Sequence, residues 1–146
     1  MTAPVFVDSN VLVYRHDVTA GAKQVRAAEW LTYLWRSGRG RVSWQVLEEF
    51  YVNATHKLKP GLPAEIARAE VLDLIEWAPI PIDTKSLSLA WEIQDRFQLS
   101  FWDSLIVAGA RLSGSATLLT EDLQAGQDLG GVRVVNPFDE APSQMP

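Results

Sequence analysis

Short β-branched runs alternate with longer helical-period segments along the whole chain, and this restricts the fold more than any other feature. Val5-Phe6-Val7 reads as a buried strand. Ala20 to Ser37 has helical spacing, with Val25, Ala28, Leu31, Leu34 and Trp35 as an apolar stripe and Gly38 and Gly40 as its stop. Arg41-Val42-Ser43 makes a second short strand, and Ser43 caps a helix from Trp44 to about Leu58. Pro63 opens the next helix, which runs to about Trp77 with Ile66, Ala67, Ala69, Val71, Leu74 and Ile75 on its apolar face. Ala78-Pro79-Ile80-Pro81-Ile82 is extended and belongs near a sheet edge. Asp83 or Thr84 caps a helix through about Phe97, and Ser100 starts another that ends near Leu112. Thr117 to Thr120 and Arg133 to Val135 are the last strands. The expected architecture is α/β: a mainly parallel sheet with helices on both faces, which binds ligands outside the carboxyl ends of its strands.

The 146 residues fit one domain. The absence of cysteine excludes a disulfide framework, thiolate catalysis and a Cys-ligated zinc site. It also suits a reducing cytosol. MTAPVFVDSN has neither the basic n-region nor the apolar h-region of a signal peptide, and no apolar run approaches a membrane span, so the expected location is cytoplasmic. Thirteen basic and 18 acidic side chains leave a formal charge of −5, which argues against a basic nucleic-acid coat protein. It leaves room for a nucleic-acid enzyme, whose metal-binding carboxylates would themselves add negative charge.

Two acids stand where such a sheet would gather them, and acids on two helices could join them. Asp8 follows the first strand and Asp122 follows Thr117-Leu118-Leu119-Thr120-Glu121, so parallel strands would bring both to one sheet edge. VFVDSNVLVY could locally be a hairpin, since Asp, Ser and Asn are good turn residues. The strand–helix pattern of the rest of the chain favours a strand ending in Asp8. Asp103 opens WDSLIVAGARL, a segment apolar around nearly its whole circumference and therefore a buried helix. Its position also suits a capping box with Ser100. Glu48 and Glu49 flank the apolar face of the helix after Ser43, and periodicity does not choose between them. Carboxylates about 4 Å apart repel by roughly 4 kcal/mol at an effective dielectric near 20. A converging cluster therefore calls for protons or a divalent cation, and hard oxygen donors suit Mg²⁺ or Mn²⁺.

In these stretches the chain resembles the PIN-domain ribonucleases, specifically the VapC type of toxin from bacterial toxin–antitoxin pairs. VFVDSNVLVY resembles the family's first motif, SWQVLEEFYV its second, LSFWDSLIVAGA its third and LLTEDL its fourth. The likeness spans Val5 to Phe138. It implies a three-layer α/β/α PIN-like fold over residues 1–138, with the polar, proline-containing residues 139–146 as a frayed tail. It implies a metal-dependent endoribonuclease in which Asp8, Glu49, Asp103 and Asp122 surround Mg²⁺ or Mn²⁺. Asp8 and Asp103 are then direct ligands, and Glu49 and Asp122 complete the pocket directly or through water. The motif alignment selects Glu49 over Glu48, and whether Glu48 or Glu121 assists is left open. Asn10 and Thr120 are expected to orient carboxylates, or to serve as turn and cap residues. The implied partners are RNA, a cognate antitoxin and a second copy of the chain. Tyr33, Trp35, Trp44 and Trp77 are large for residues on the helical stretches where an antitoxin would bind, and core packing is their other reading. Arg15, His16, Lys57, Lys59 and Arg111 are possible phosphate contacts.

Two other readings compete with this one. A haloacid-dehalogenase-like phosphatase would use Asp8 as a nucleophile but wants a second Asp two residues later, where this chain has Asn10. A non-catalytic PIN-like module would bind RNA or a partner without cutting, but would gain little from four repelling acids.

Overall fold

Val5-Phe6-Val7 forms β1 (Val5–Val7), and all three side chains are fully buried, as a strand covered on both faces requires. The structure is a computed structural model that describes residues 3–145. After β1 come α1 (Ser9–Tyr14), α2 (Ala22–Ser37), β2 (Gly40–Arg41) and α3 (Trp44–Val52). There follow α4 (Ala64–Asp73), α5 (Thr84–Phe97), α6 (Phe101–Leu112), β3 (Thr117–Leu119) and β4 (Arg133–Val135). The sheet order is β2-β1-β3-β4 and every pairing is parallel, with Val5 opposite Gly40 and Thr117, and Thr117 opposite Arg133. Helices cover the sheet in the expected three-layer α/β/α arrangement.

α6 is the wall behind the sheet. Ser104 to Ala110 are all buried, and the helix packs on β1, on β3 and along α5. Gly109 permits the close approach, since a Cβ there would lie 3.2 Å from the Phe6 ring and 3.3 Å from Ser43 Cβ. The caps are those expected: Ser43 accepts from Val46 N, Ser100 from Asp103 N, and Asp83 and Ser86 form a reciprocal capping box. No helix among the described residues is long and apolar enough to cross a membrane.

Several expectations are corrected. The buried stripe of α2 is Ala27, Trp30, Leu31 and Leu34, while Val25 and Trp35 are exposed. The cause is Trp30, whose indole is fully buried and donates to the carbonyls of Pro137 and Glu140 at 2.9 Å each. α3 stops at Val52 and continues as a π-helical turn, Asn53–Lys57. There the Thr55 hydroxyl donates to Tyr51 O at 2.7 Å and competes for a helical acceptor. The helix after Pro63 becomes a 3-10 turn at Leu74–Trp77, and Ile66, Leu72 and Ile75 on it are exposed. Trp77 belongs to the core, Tyr33 is half-buried, and Trp35 and Trp44 are exposed. Among the described residues the extended stretch around Ile80 pairs only through one bridge to Ser43, because Pro79 and Pro81 on either side have no N–H to continue it. Beyond β4, Met145 packs on the core after a 3-10 turn, Pro142–Gln144.

Candidate active site

The parallel register carries β1 and β3 out of the sheet side by side. Asp8 N donates to Leu119 O at 3.0 Å, and Thr120 N donates to Val135 O at 3.1 Å. Asp8 and Thr120 are therefore the first residues beyond two adjacent central strands, at the carboxyl edge. The hairpin reading of VFVDSNVLVY is excluded: Asp8 is the N-cap of α1, and its Oδ1 accepts from Ser9 N at 2.7 Å.

A hydrogen-bonded network grows from this pair. The Thr120 hydroxyl donates to Asp8 Oδ2 at 2.8 Å and accepts from Asp122 N at 3.0 Å and Asn10 Nδ2 at 3.1 Å, which uses its full capacity. Asn10 Nδ2 also reaches Asp122 Oδ2 at 3.1 Å and, more weakly, Asp8 Oδ2 at 3.4 Å. On the other side the Ser9 hydroxyl donates to Glu49 Oε1 at 2.9 Å. Asp8, Asn10, Thr120, Asp122 and Glu49 are thus brought together.

The paired acids separate cleanly. Glu48 is exposed, beside an apolar groove that includes Trp44 and Tyr51, while Glu49 is half-buried within the network. Glu121 turns away from it and accepts from the Tyr14 hydroxyl at 2.6 Å and from Lys23 Nζ at 2.8 Å. Those bonds raise both the Tyr14 phenol and the Lys23 ammonium above their ordinary pKa values. Asp103 stands apart. Its N–H takes the Ser100 cap at 3.1 Å, but the reciprocal half of a capping box is not made, and among the described residues its carboxylate has no hydrogen-bond partner. Of the basic residues, Arg15 and His16 both pair with Glu70. A broad hollow of about 920 Å³ lies along α2, lined by Gln24, Tyr33 and Arg36 among others, and contains none of the four acids.

Two network members were not singled out from sequence. Ser9 lies inside the first motif. Gln45, one helical turn before Glu49, donates through Nε2 to Glu49 Oε2 at 3.3 Å and to Trp102 O at 3.2 Å. The i, i+4 spacing was the available signal.

Burial pushes the Asp8 carboxyl up from 3.8 to about 7; the charges of Glu49 and Asp122 add to this, and the bonds from Thr120 and Ser9 oppose it. A positive charge beside Asp8 would favour its ionised form. Among the described residues no three His, Asp or Glu side chains converge closely enough to cage an ion, since Ser9, Asn10 and Thr120 stand between the acids. The donor chemistry still fits a hard divalent cation: the groups are all oxygens, and Asn10 Oδ1 is buried there without a partner.

The PIN domain family model matches residues 5–127. No curated protein matches the sequence. Among solved structures the chain is similar to a toxin–antitoxin complex from Klebsiella pneumoniae, at 20% identity and a TM-score of 0.64, over 92% of this chain and 98% of that one. FitAcB from Neisseria gonorrhoeae matches at 19% identity and a TM-score of 0.64, over 92% and 98%. VapC20 from Mycobacterium tuberculosis, a sarcin–ricin-loop-cleaving toxin, matches at 22% identity and a TM-score of 0.59, over 81% and 91%. At these identities the likeness is one of fold.

Proposed function

The chain belongs to the PIN-domain family, and from that premise we propose that it is a Mg²⁺- or Mn²⁺-dependent endoribonuclease, the VapC-type toxin of a bacterial toxin–antitoxin pair. The observation that carries this reading is the buried Asp8 at the sheet edge, with Glu49 and Asp122 drawn toward it through Ser9, Asn10 and Thr120. Burying an acid among like charges costs stability, and a site that binds a cation gives that cost a use.

In this reading Asp8, Glu49, Asp103 and Asp122 would hold the ion, which would have to draw their carboxylates closer than they stand in the structure. A bound divalent cation lowers the pKa of a water nucleophile and offsets charge on the phosphoryl group. The protein's own part is orientation. Thr120 and the Ser9 N–H fix both oxygens of Asp8, Asn10 steers Asp122, and Ser9 steers Glu49. Asp103 contributes a carboxylate that its own helix cap leaves unengaged. The dehalogenase-like rival lacks its second acid, because Asn10 occupies that place and its amide is engaged by Thr120 and Asp122. The domain assignment at 1–138 and the cytoplasmic location belong to the same proposal. So do the RNA substrate, a cognate antitoxin and a homodimer, and the toxin–antitoxin complex among the similar structures supports the antitoxin.

The test is cleavage of a mixed RNA pool by the purified chain with Mg²⁺ or Mn²⁺, with EDTA, and beside Asp8→Asn. Metal-dependent cutting that disappears in EDTA and in the variant is the expected result. A folded, metal-bound protein that cuts no RNA would favour the non-catalytic module.

A further inference from the structure

We propose that Gln45 is a positioning residue of the acid site, clamping the Glu49 carboxylate to the first turn of α6 so that the acids of α3 and α6 face a cation in fixed relation. The proposal rests on the metal-site reading above. Gln45 is 5% exposed, so its amide has been taken out of water and must be matched. Nε2 carries two hydrogens and meets two groups that can only accept: Glu49 Oε2 at 3.3 Å and Trp102 O at 3.2 Å. Turning the amide over would set an oxygen against both, so its orientation is forced.

Neither bond is needed to build a helix. Gln45 and Glu49 already share α3, and a carbonyl in the first turn of α6 accepts from the amide four residues on. What the clamp adds is a link between helices. Glu49 is then held on both sides, Oε1 by Ser9 at 2.9 Å and Oε2 by Gln45, and the second hold is anchored on the residue before Asp103.

The clamp also has a cost that packing does not explain. Gln45 Oε1 is buried without a hydrogen-bond partner among the described residues. An apolar side chain of the same length would fill the space and avoid that cost. That a glutamine stands here points to the acids it orders. Gln45 acts through Glu49 and does not itself touch the ion.

The experiment is calorimetric titration of Mn²⁺ into the wild-type chain, Gln45→Met, Glu49→Gln and the double variant, with RNA cleavage and melting temperature measured in parallel. The expected result is that Gln45→Met melts no lower than wild type in metal-free buffer. It should bind Mn²⁺ about ten-fold more weakly, the scale typical of an outer-shell partner. Its kcat on RNA should fall with KM unchanged, and in the Glu49→Gln background the change should add nothing further. Wild-type affinity and cleavage in a folded Gln45→Met would overturn the proposal, as would a loss that persists undiminished in the Glu49→Gln background. Wild-type protein that takes up no Mn²⁺ would sink the metal-site reading itself, and the proposal with it, before any Gln45 variant is compared. Should Gln45→Met fail to fold, the wild-type Gln45 side-chain amide signals decide by NMR. A shift of those signals on Mg²⁺ addition supports the clamp, and unmoved signals reject it.

Discussion

Thr120 donates its hydroxyl to Asp8 Oδ2 at 2.8 Å, joining residues 112 positions apart in sequence. The bond exists because β1 and β3 are paired in parallel, and both chains leave the sheet at the same level. Thr120→Val keeps the shape and removes the donor. It should destabilise the fold by about 1–3 kcal/mol in chemical denaturation and leave the Asp8 carboxyl higher still, since the Thr120 bond is the strongest influence holding it down.

Asp8→Asn should change how stability depends on pH. In the unfolded chain Asp8 releases its proton near 3.8, whereas in the folded protein it does so near 7. Between those values the folded state binds more protons. The stability this group contributes is therefore complete below 3.8 and is lost as pH rises through 7. In metal-free buffer the asparagine variant should gain on the wild type by about 1.4 kcal/mol per unit at most over that window, then hold level. Melting curves from pH 4 to 8 would show it, and an equal pH slope in both proteins would reject it.

The two adjacent glutamates should behave differently. Glu49→Gln should reduce RNA cleavage by at least ten-fold, the usual scale for a group that holds or orders a metal. Glu48→Gln should leave it within about two-fold, because Glu48 is exposed on the other flank of α3. Steady-state rates on one RNA suffice, and the reverse order would shift the second motif by one residue.

Mn²⁺ should raise the melting temperature of the wild type, and EDTA should cancel the rise, since an ion bound only by the folded state stabilises it. The shift should vanish in a Asp8→Asn, Asp122→Asn double variant. Equal shifts in both proteins would place the ion elsewhere.

Gly109→Ala should cost about 1–3 kcal/mol by overpacking, because the added methyl meets the Phe6 ring at 3.2 Å and Ser43 Cβ at 3.3 Å. Denaturant midpoints would measure it. A neutral result would mean that α6 can draw away from the sheet.

The central sheet was legible because its strands are short β-branched runs bounded by turn residues, and β1 has the limits read from VFV. The caps at Ser43, Asp83 and Ser100 were legible because capping is local chemistry. What failed was long-range. The face of α2 is set by Trp30 reaching carbonyls more than a hundred residues away, and no window of helical periodicity contains them. At the site, the strand ends pointed to Asp8 and Asp122, the resemblance supplied the full set of four acids, and the sheet topology explains why Asp8 and Asp122 share one network through Asn10 and Thr120. The choice of Glu49 over Glu48 rested on resemblance; what distinguishes the two in the structure is that Glu49 takes bonds from Ser9 and Gln45 while Glu48 is exposed. Gln45 was invisible because a glutamine on a helix reads as surface until its burial is known.

The sheet order has a dynamic consequence. β1 and β3 are the two inner strands, each bonded to a neighbour on both sides, and Asp8 and Thr120 follow them without an intervening loop. Inner-strand amides are the slowest to exchange with solvent, because only global unfolding frees them. Asp8 and Asp122 are tethered to that most protected unit rather than to a lid that opens by itself. Heating should therefore not disarm this protein in stages: the amide protection of β1, the melting of the chain and the loss of the Asp8–Thr120 bond should fall together in one cooperative event.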